Sequence, residues 1–281
     1  MKFVKMHGLG NDFIILDDTD HRQKNGREGF ETEKHCCEES ELSPELVRHF
    51  CDRHRGIGAD GVIRVCNAEH PQADFRMKLY NADGSPAKMC GNGIRCLGKY
   101  VYERSLIKKT VICVETMAGI RTLYLDIENE NHVRFVSVDM GIPIILPTIE
   151  INSFLLTPVS IGNPHVVYFV PNQPSEYPVE KWGPFLECHS RLKERSNVEF
   201  VQVVSQDRLR LRIWERGSGE TLSCGTGACA AVVCAIQQKG LENKVLAEVP
   251  GGTLTISWNG NGEAVFLSGP AEFVFDVTVH M

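Results

Sequence analysis

Short runs in which apolar and polar residues alternate dominate the first half of the chain. "KFVKMHG", "DFIILDD", "GVIRVC", "DFRMKLY", "TVICVET", "IRTLYLDI" and "HVRFVSVDM" have the two-residue period of half-buried strands. Two segments switch to helical spacing. "SPELVRHFCDR" reads as a helix with Ser43 at its cap and Pro44 at its first position. "IRCLGKYVYER" reads as a helix following a Gly-Asn-Gly turn. The second half repeats the plan. "HVVYFV", "VEFVQVV", "RLRLRIW", "TLTISW", "AVFLSG" and "EFVFDVTV" read as strands, "PVEKWGPFLECH" as a helix, and "GACAAVVCAIQQKG" as a stronger one that Gly240 stops. Pro143 and Pro147 punctuate the junction in "DMGIPIILP". The expected fold class is α+β, in two pseudo-symmetric halves, residues 1–140 and 141–269. Each is a mostly antiparallel sheet around one dominant helix, and the active site is expected in the cleft between them.

One stretch escapes the pattern. "HRQKNGREGFETEKHCCEESEL", His21 to Leu42, is charged and aperiodic, and reads as a solvated insertion. Its His35, Cys36 and Cys37 match no common zinc spacing.

Charge and composition remove some classes of function. A chain of 281 residues with net charge −6 and no basic stripe is a poor partner for nucleic acid. Its apolar runs are too short to span a bilayer. The opening "MKFVKMHGLGNDF" lacks a signal-peptide apolar region, so a cytoplasmic protein is expected. Eleven cysteines at irregular spacing do not suggest a disulfide framework in that compartment. Cys51, Cys66, Cys113, Cys188 and Cys234 fit small buried apolar groups.

Two cysteines stand apart. "KMCGNGIRC" and "LSCGTGACA" each place Cys, Gly, a polar residue and Gly at a helix start, at matching places in the two halves. Backbone N–H groups in the first turn of a helix lack intrahelical partners and favour negative charge. A thiolate is accessible at Cys90 and Cys224 for that reason, and the same N–H groups can hold a carboxylate. Two such sites suit inversion at a carbon centre. One thiolate removes an α-proton, the other thiol returns one from the opposite face, and the helix starts stabilise the developing enolate charge. No electron-sink cofactor is then required. Packing beneath tight turns is the alternative for each cysteine. Zinc is disfavoured because Cys224, Cys229 and Cys234 drift around their helix.

These motifs resemble the diaminopimelate epimerase family nearly end to end. "MKFVKMHGLGNDFIILD", "DRHRGIGADG", "YNADGSPAKMCGNGIRC", "IGNPHVV" and "WERGSGETLSCGTGACA" follow in the family's order. The resemblance implies cofactor-independent epimerisation of LL-2,6-diaminoheptanedioate to the meso form, in lysine and peptidoglycan precursor synthesis. It implies Cys90 and Cys224 as acid and base, with Gly91, Asn92, Gly225 and Thr226 supplying the helix-start N–H groups. It further implies substrate contacts from Asn11, Asn81, Asn163, Asn197, Glu215 and Arg216, and His165 near the reacting centre. No metal is implied. A homodimer is, as is completion of the first half by residues 270–281. Where some members carry a substrate-contacting glutamine, this chain has Gly61.

The residues alone leave other readings open. Asn11, Asn81 and Asn163 sit in turn-forming contexts. Asn197 suits a strand start, and Glu215 with Arg216 suits a surface ion pair. At the level of function, another racemase of the same fold (proline- or histidine-type) and a non-catalytic thiol redox sensor remain rivals. Arg216 with four asparagines favours a substrate that has a second amino-acid end.

Overall fold

The computed structural model describes residues 1–19, 41–192 and 194–278. Most of the His21–Leu42 insertion therefore lies outside the described residues. The chain divides into two units, residues 1–136 with 270–281, and residues 137–269.

In the first unit the strands are β1 (Lys2–Gly8), β2 (Asn11–Asp17), β3 (Gly61–Asn67), β4 (Phe75–Asn81), β5 (Pro86–Ala87), β6 (Val111–Thr116) and β7 (Gly119–Asn129). β8 (His132–Asp139) runs on through the boundary. Helix α1 (Pro44–Cys51) lies between β2 and β3 in the chain, and α2 (Gly91–Glu103) between β5 and β6. The neighbour relations are β1–β2 antiparallel, β2–β3 parallel, β3–β4 and β4–β5 antiparallel, β4–β6 parallel and β6–β7 antiparallel.

The second unit contains β9 (Ile144–Ile145), β10 (Ile149–Ile151), β11 (Phe154–Ser160), β12 (Pro164–Phe169), β13 (Asn197–Ser205), β14 (Arg208–Glu215), β15 (Gly219–Thr221), β16 (Lys244–Val249), β17 (Gly252–Ser257) and β18 (Phe266–Gly269). Helix α3 (Val179–Glu187) falls between β12 and β13, and α4 (Gly225–Lys239) between β15 and β16. From β11 to β17 the sequence of pairings is the same as from β1 to β7: antiparallel, parallel, antiparallel, antiparallel, parallel, antiparallel. The α+β fold thus consists of one topology used twice. The last strand, β19 (Glu272–Thr278), returns to pair with β1.

Each unit buries both faces of its central strands, and alternation divides the labour. Ile14, Leu16, Val62 and Tyr80 cluster with Val47 and Phe50 of α1. Phe13 and Ile63, one residue out of phase, come up against Gly93 of α2. In the second unit Val166, Val198 and Phe200 cluster with Val179 and Leu186 of α3, while residues of the opposite phase meet α4. The two dominant helices are accordingly buried far beyond one stripe. Every residue of α2 from Gly91 to Val101 is buried, and α4 is buried from Gly227 to Ala235.

Local signals hold for the helices, with one correction. Ser43 Oγ accepts from Leu46 N at 3.2 Å, and Pro44 opens α1. α4 ends where Gly240 was expected to stop it. The Gly-Asn-Gly segment, expected to precede its helix, is instead the first turn of α2, because Ile94 N already donates to Cys90 O at 2.9 Å. Two longer strands escaped the pattern. β11 carries Pro158 in its interior, where a missing N–H argues against a strand. It is accommodated, and its carbonyl accepts from Leu146 N at 2.9 Å. Half of β16, "KVLAEV", is Lys, Ala and Glu, residues that strands disfavour.

Among the thiols, Cys51 and Cys234 are buried as expected. Cys113 is half-buried and Cys188 is exposed, since Cys188 caps the end of α3 instead of packing under it. Cys66 is fully buried in β3 but disulfide-bonded.

Candidate active site

The first unit assembles one thiol site where β2 meets the start of α2. Cys90 is the N-cap of α2 in extended backbone (φ −137°, ψ 124°), half-buried, with Gly91, Asn92 and Gly93 forming the first turn. Its Sγ–H donates to Asn11 Oδ1 at 3.6 Å, and Asn92 Nδ2 donates to the same oxygen at 3.2 Å. Both amides are oriented from behind. The fully buried Arg95 donates Nη2 to Asn92 Oδ1 at 3.0 Å and Nη1 to Gly91 O at 3.0 Å. Asn11 donates Nδ2 to Asp60 Oδ2 at 2.8 Å. Asp60 is in turn bound by Arg53, whose guanidinium also forks onto Asp12 at 3.0 and 2.8 Å. Burial works against an ionised Asp12, yet Arg53 and Lys5 together hold its carboxyl well below the usual carboxylate range. The Asn11 carbonyl is thereby fixed toward Cys90.

Asn81 is exposed and closes a turn. Its backbone N–H donates to Ser85 O at 2.8 Å and its Nδ2 to Ser85 Oγ at 3.0 Å. It sits directly across the β3–β4 ladder from Gly61. A Cβ at Gly61 would lie 2.5 Å from Tyr80 O, so this backbone has no room for a side chain at that position.

The second unit builds the matching site differently. Cys224 is the N-cap of α4 (φ −119°, ψ 111°) and is buried, with Gly225, Thr226 and Gly227 as the first turn. Its Sγ lies 3.5 Å from Thr226 Oγ1. Asn163 Nδ2 donates to that hydroxyl at 3.4 Å, and Asn163 Oδ1 lies 3.0 Å from His165 Nε2. The other nitrogen, Nδ1, is 2.7 Å from Glu199 Oε1, and both side chains are completely buried. Burial pushes the Cys224 thiol well above its ordinary value, and the Glu215 charge adds to the effect. The Thr226 hydroxyl and the Gly227 N–H act the other way.

Asn197 spends its amide on backbone: Nδ2 donates to Pro164 O at 3.1 Å, and Oδ1 accepts from Arg216 N at 2.9 Å. This bracket ties the end of β14 to the start of β12. Glu215 and Arg216 take different partners. Glu215 Oε1 accepts from Thr221 Oγ1 at 2.5 Å, whereas Arg216 donates Nη1 to Arg195 O at 3.2 Å. Arg216 is exposed, and among the described residues the rest of its guanidinium donors are available to an anion. Among the described residues, then, Asn11 and Asn92 gather around Cys90, and Asn163, His165 and Thr226 around Cys224. Asn81 lies at a turn, bonded to Ser85.

Comparison with known proteins agrees with this architecture. The profile of the diaminopimelate epimerase family matches residues 3–146 and 157–274. The chain belongs to the diaminopimelate epimerase family. Like the rest of the family it is an isomerase. The diaminopimelate epimerase of Acetivibrio thermocellus is 42% identical over 299 residues, covering 100% of this chain and 99% of that one. Those of Methanococcus maripaludis and Ectopseudomonas mendocina are 40% and 39% identical, covering 98% and 100% of this chain and 98% and 99% of theirs. Among solved structures, a hydroxyproline epimerase from Agrobacterium vitis with bound trans-4-hydroxy-L-proline has a TM-score of 0.71 at 16% identity, covering 99% of this chain and 91% of that one. A phenazine biosynthesis protein of the PhzF family from Bacillus anthracis has a TM-score of 0.69 at 16% identity, covering 100% and 99%. At such identities these two speak for the fold alone.

Sequence reasoning missed Arg95, Asp60 and Glu199. Arg95 reads as an ordinary helix-surface charge, Asp60 as a loop residue, and Glu199 as the polar member of an alternating strand. Only the register, which turns each of them inward or toward an asparagine, distinguishes them.

Proposed function

We propose that the chain interconverts LL- and meso-2,6-diaminoheptanedioate without a cofactor, with Cys90 and Cys224 as the paired acid and base. The observation that carries this reading is the thiol N-cap repeated at equivalent places of one topology used twice, in a member of this family. A thiolate at one of the two takes the α-proton and becomes a thiol. The electron pair left on the α-carbon delocalises into the carboxylate. The other thiol then delivers its proton to the opposite face and becomes a thiolate. Configuration inverts, and the enzyme is left with its two protonation states exchanged.

The α-carboxylate is placed at the starts of α2 and α4, whose first-turn N–H groups meet the charge as it develops. Gly91, Asn92, Gly225 and Thr226 supply those groups. Arg216 is assigned to the carboxylate of the amino-acid end that does not react, which it can grip with two parallel hydrogen bonds. Asn11, Asn81, Asn163, Asn197 and Glu215 complete the substrate contacts. Holding that remote end positions the reacting carbon. The same reading carries a homodimer, a cytoplasmic setting and a place in lysine and peptidoglycan precursor synthesis. Among the described residues no helix is long and apolar enough to cross a membrane.

A panel of amino acids tests the substrate. Turnover of LL-2,6-diaminoheptanedioate, with none of proline, hydroxyproline or histidine, is the expected result. Racemisation of a substrate with a single amino-acid end at comparable kcat/KM would replace this reading with that of a related racemase.

A further inference from the structure

The two thiol sites are equivalent in topology but not in chemistry. Phe13 stands opposite Gly61 in the parallel β2–β3 ladder, and His165 stands opposite Asn197 in the equivalent β12–β13 ladder. Two residues further along, Ile63 corresponds to Glu199. The environments of the helix glycines agree. A Cβ on Gly93 would meet Ile63 Cδ1 at 2.9 Å and Phe13 Cζ at 3.4 Å, while one on Gly227 would meet Glu199 Oε1 at 2.8 Å. Beneath Cys90 the fold places two hydrocarbon side chains. Beneath Cys224, in the same two places, it puts a buried histidine and a buried glutamate.

Resting on the epimerase reading, we propose that Glu199 is a positioning residue for the Cys224 site: as a buried, protonated carboxyl it donates to His165 Nδ1 and so fixes the imidazole as the neutral tautomer with its hydrogen on Nε2. Geometry carries this. Glu199 is completely enclosed, Oε1 lies 2.7 Å from Nδ1, and Oε2 has no hydrogen-bond partner among the described residues. A bare carboxylate with one oxygen unsatisfied would be costly there, whereas a neutral acid needs only its hydroxyl placed. Burial also raises the carboxyl above its ordinary range, against the pull of His165 and with the push of Glu215.

The charged and titratable groups that act on Glu199 or feel its charge are His165 from β12, Glu215 from β14, and Cys224 and Cys234 from the α4 segment. With Nε2 as donor, Asn163 Oδ1 accepts, its amide hydrogens turn to Thr226 Oγ1, and the Thr226 hydroxyl is left to donate to Cys224 Sγ. Glu199 thus sets the direction of a hydrogen-bond chain that ends on the thiol and supports it as a thiolate. The Cys90 site has Phe13 and Ile63 instead, and takes its direction from Arg95 and Asp60.

The test uses the full-length protein. Nitrogen-15 NMR of the histidine rings, assigned with His165→Gln, reads the tautomer in substrate-free protein and does not depend on what the enzyme turns over. His165 is expected as the neutral Nε2–H form. An imidazolium or an Nδ1–H tautomer in the wild-type protein would overturn the proposal without recourse to any variant. Glu199→Gln can donate from its amide to Nδ1, so it should keep the tautomer, the pH profile and kcat to within about threefold. Glu199→Leu cannot, and should release the ring from its fixed tautomer and lower kcat about tenfold or more with a smaller change in KM. Equal losses in the two variants would mean that a carboxylate charge is required and would overturn the proposal. So would a Glu199→Leu enzyme with unchanged tautomer and rate.

Discussion

At the residue scale the proposed distal anchor, Arg216, is the clearest case. Arg216 is exposed and, among the described residues, its side chain holds one protein partner, Arg195 O, so little of the described fold depends on it. Arg216→Met should leave Tm unchanged. Loss of a charged partner for the substrate carboxylate should still cost about 2–5 kcal/mol of transition-state binding, read as kcat/KM for diaminopimelate. A folded variant with near-normal kcat/KM would remove Arg216 from the site. The asparagines show how a candidate can be picked out while the orientation of its amide stays hidden. Asn11, Asn163 and Asn197 were legible as candidates from their motifs. What each amide does was not, because orientation comes from partners distant in sequence: Asp60 for Asn11, His165 for Asn163, and the backbone of Pro164 and Arg216 for Asn197.

At the scale of the element, the close approach of each dominant helix to its sheet is set by a glycine in the first turn. Gly93→Ala would press on Ile63 Cδ1, the mobile end of a flexible side chain. Gly227→Ala would press on Glu199 Oε1, which its bond to His165 keeps from yielding. Overpacking of this kind costs about 1–3 kcal/mol. Gly227→Ala should therefore lower Tm more than Gly93→Ala does, and the reverse order would show that the Glu199 carboxyl is free to move. Most elements were legible because their periods were clean, as in "DFIILDD" and "RLRLRIW". Pro158 hid β11 by removing a ladder donor, and the Lys, Ala and Glu of β16 hid a strand that tertiary pairing nonetheless imposes. The Gly-Asn-Gly segment reads as a turn by propensity, and only the cap geometry at Cys90 makes it helical.

For the whole molecule, the buried thiols make stability depend on alkaline pH. Burial pushes Cys51 up to about 11 and Cys96 up to about 12. In the unfolded chain these thiols ionise at about 8.5. Below that value both states hold the proton and stability is unaffected. Between it and the folded values only the native state does, so stability falls as pH rises, by about 1.4 kcal/mol per pH unit for each such thiol. Chemical denaturation under reducing conditions should show a midpoint that is level near pH 7–8 and declines from about pH 9. A flat profile to pH 10.5 would mean that these thiols ionise as readily in the folded protein as in the unfolded chain.

The repeat itself was visible in the sequence because two Cys-Gly-x-Gly helix starts recur at matching places. Its asymmetry was not, since Ile63 and Glu199 are each ordinary members of an alternating strand until the ladders align them. The proposed two-thiol mechanism is tested most directly by running wild-type, Cys90→Ala and Cys224→Ala enzymes in heavy water, each first shown to be folded. The wild-type enzyme should place solvent deuterium at the inverted carbon, and both variants should lose epimerisation comparably in both directions. A variant that kept a large share of the activity, or product that retained the substrate's own hydrogen, would contradict it.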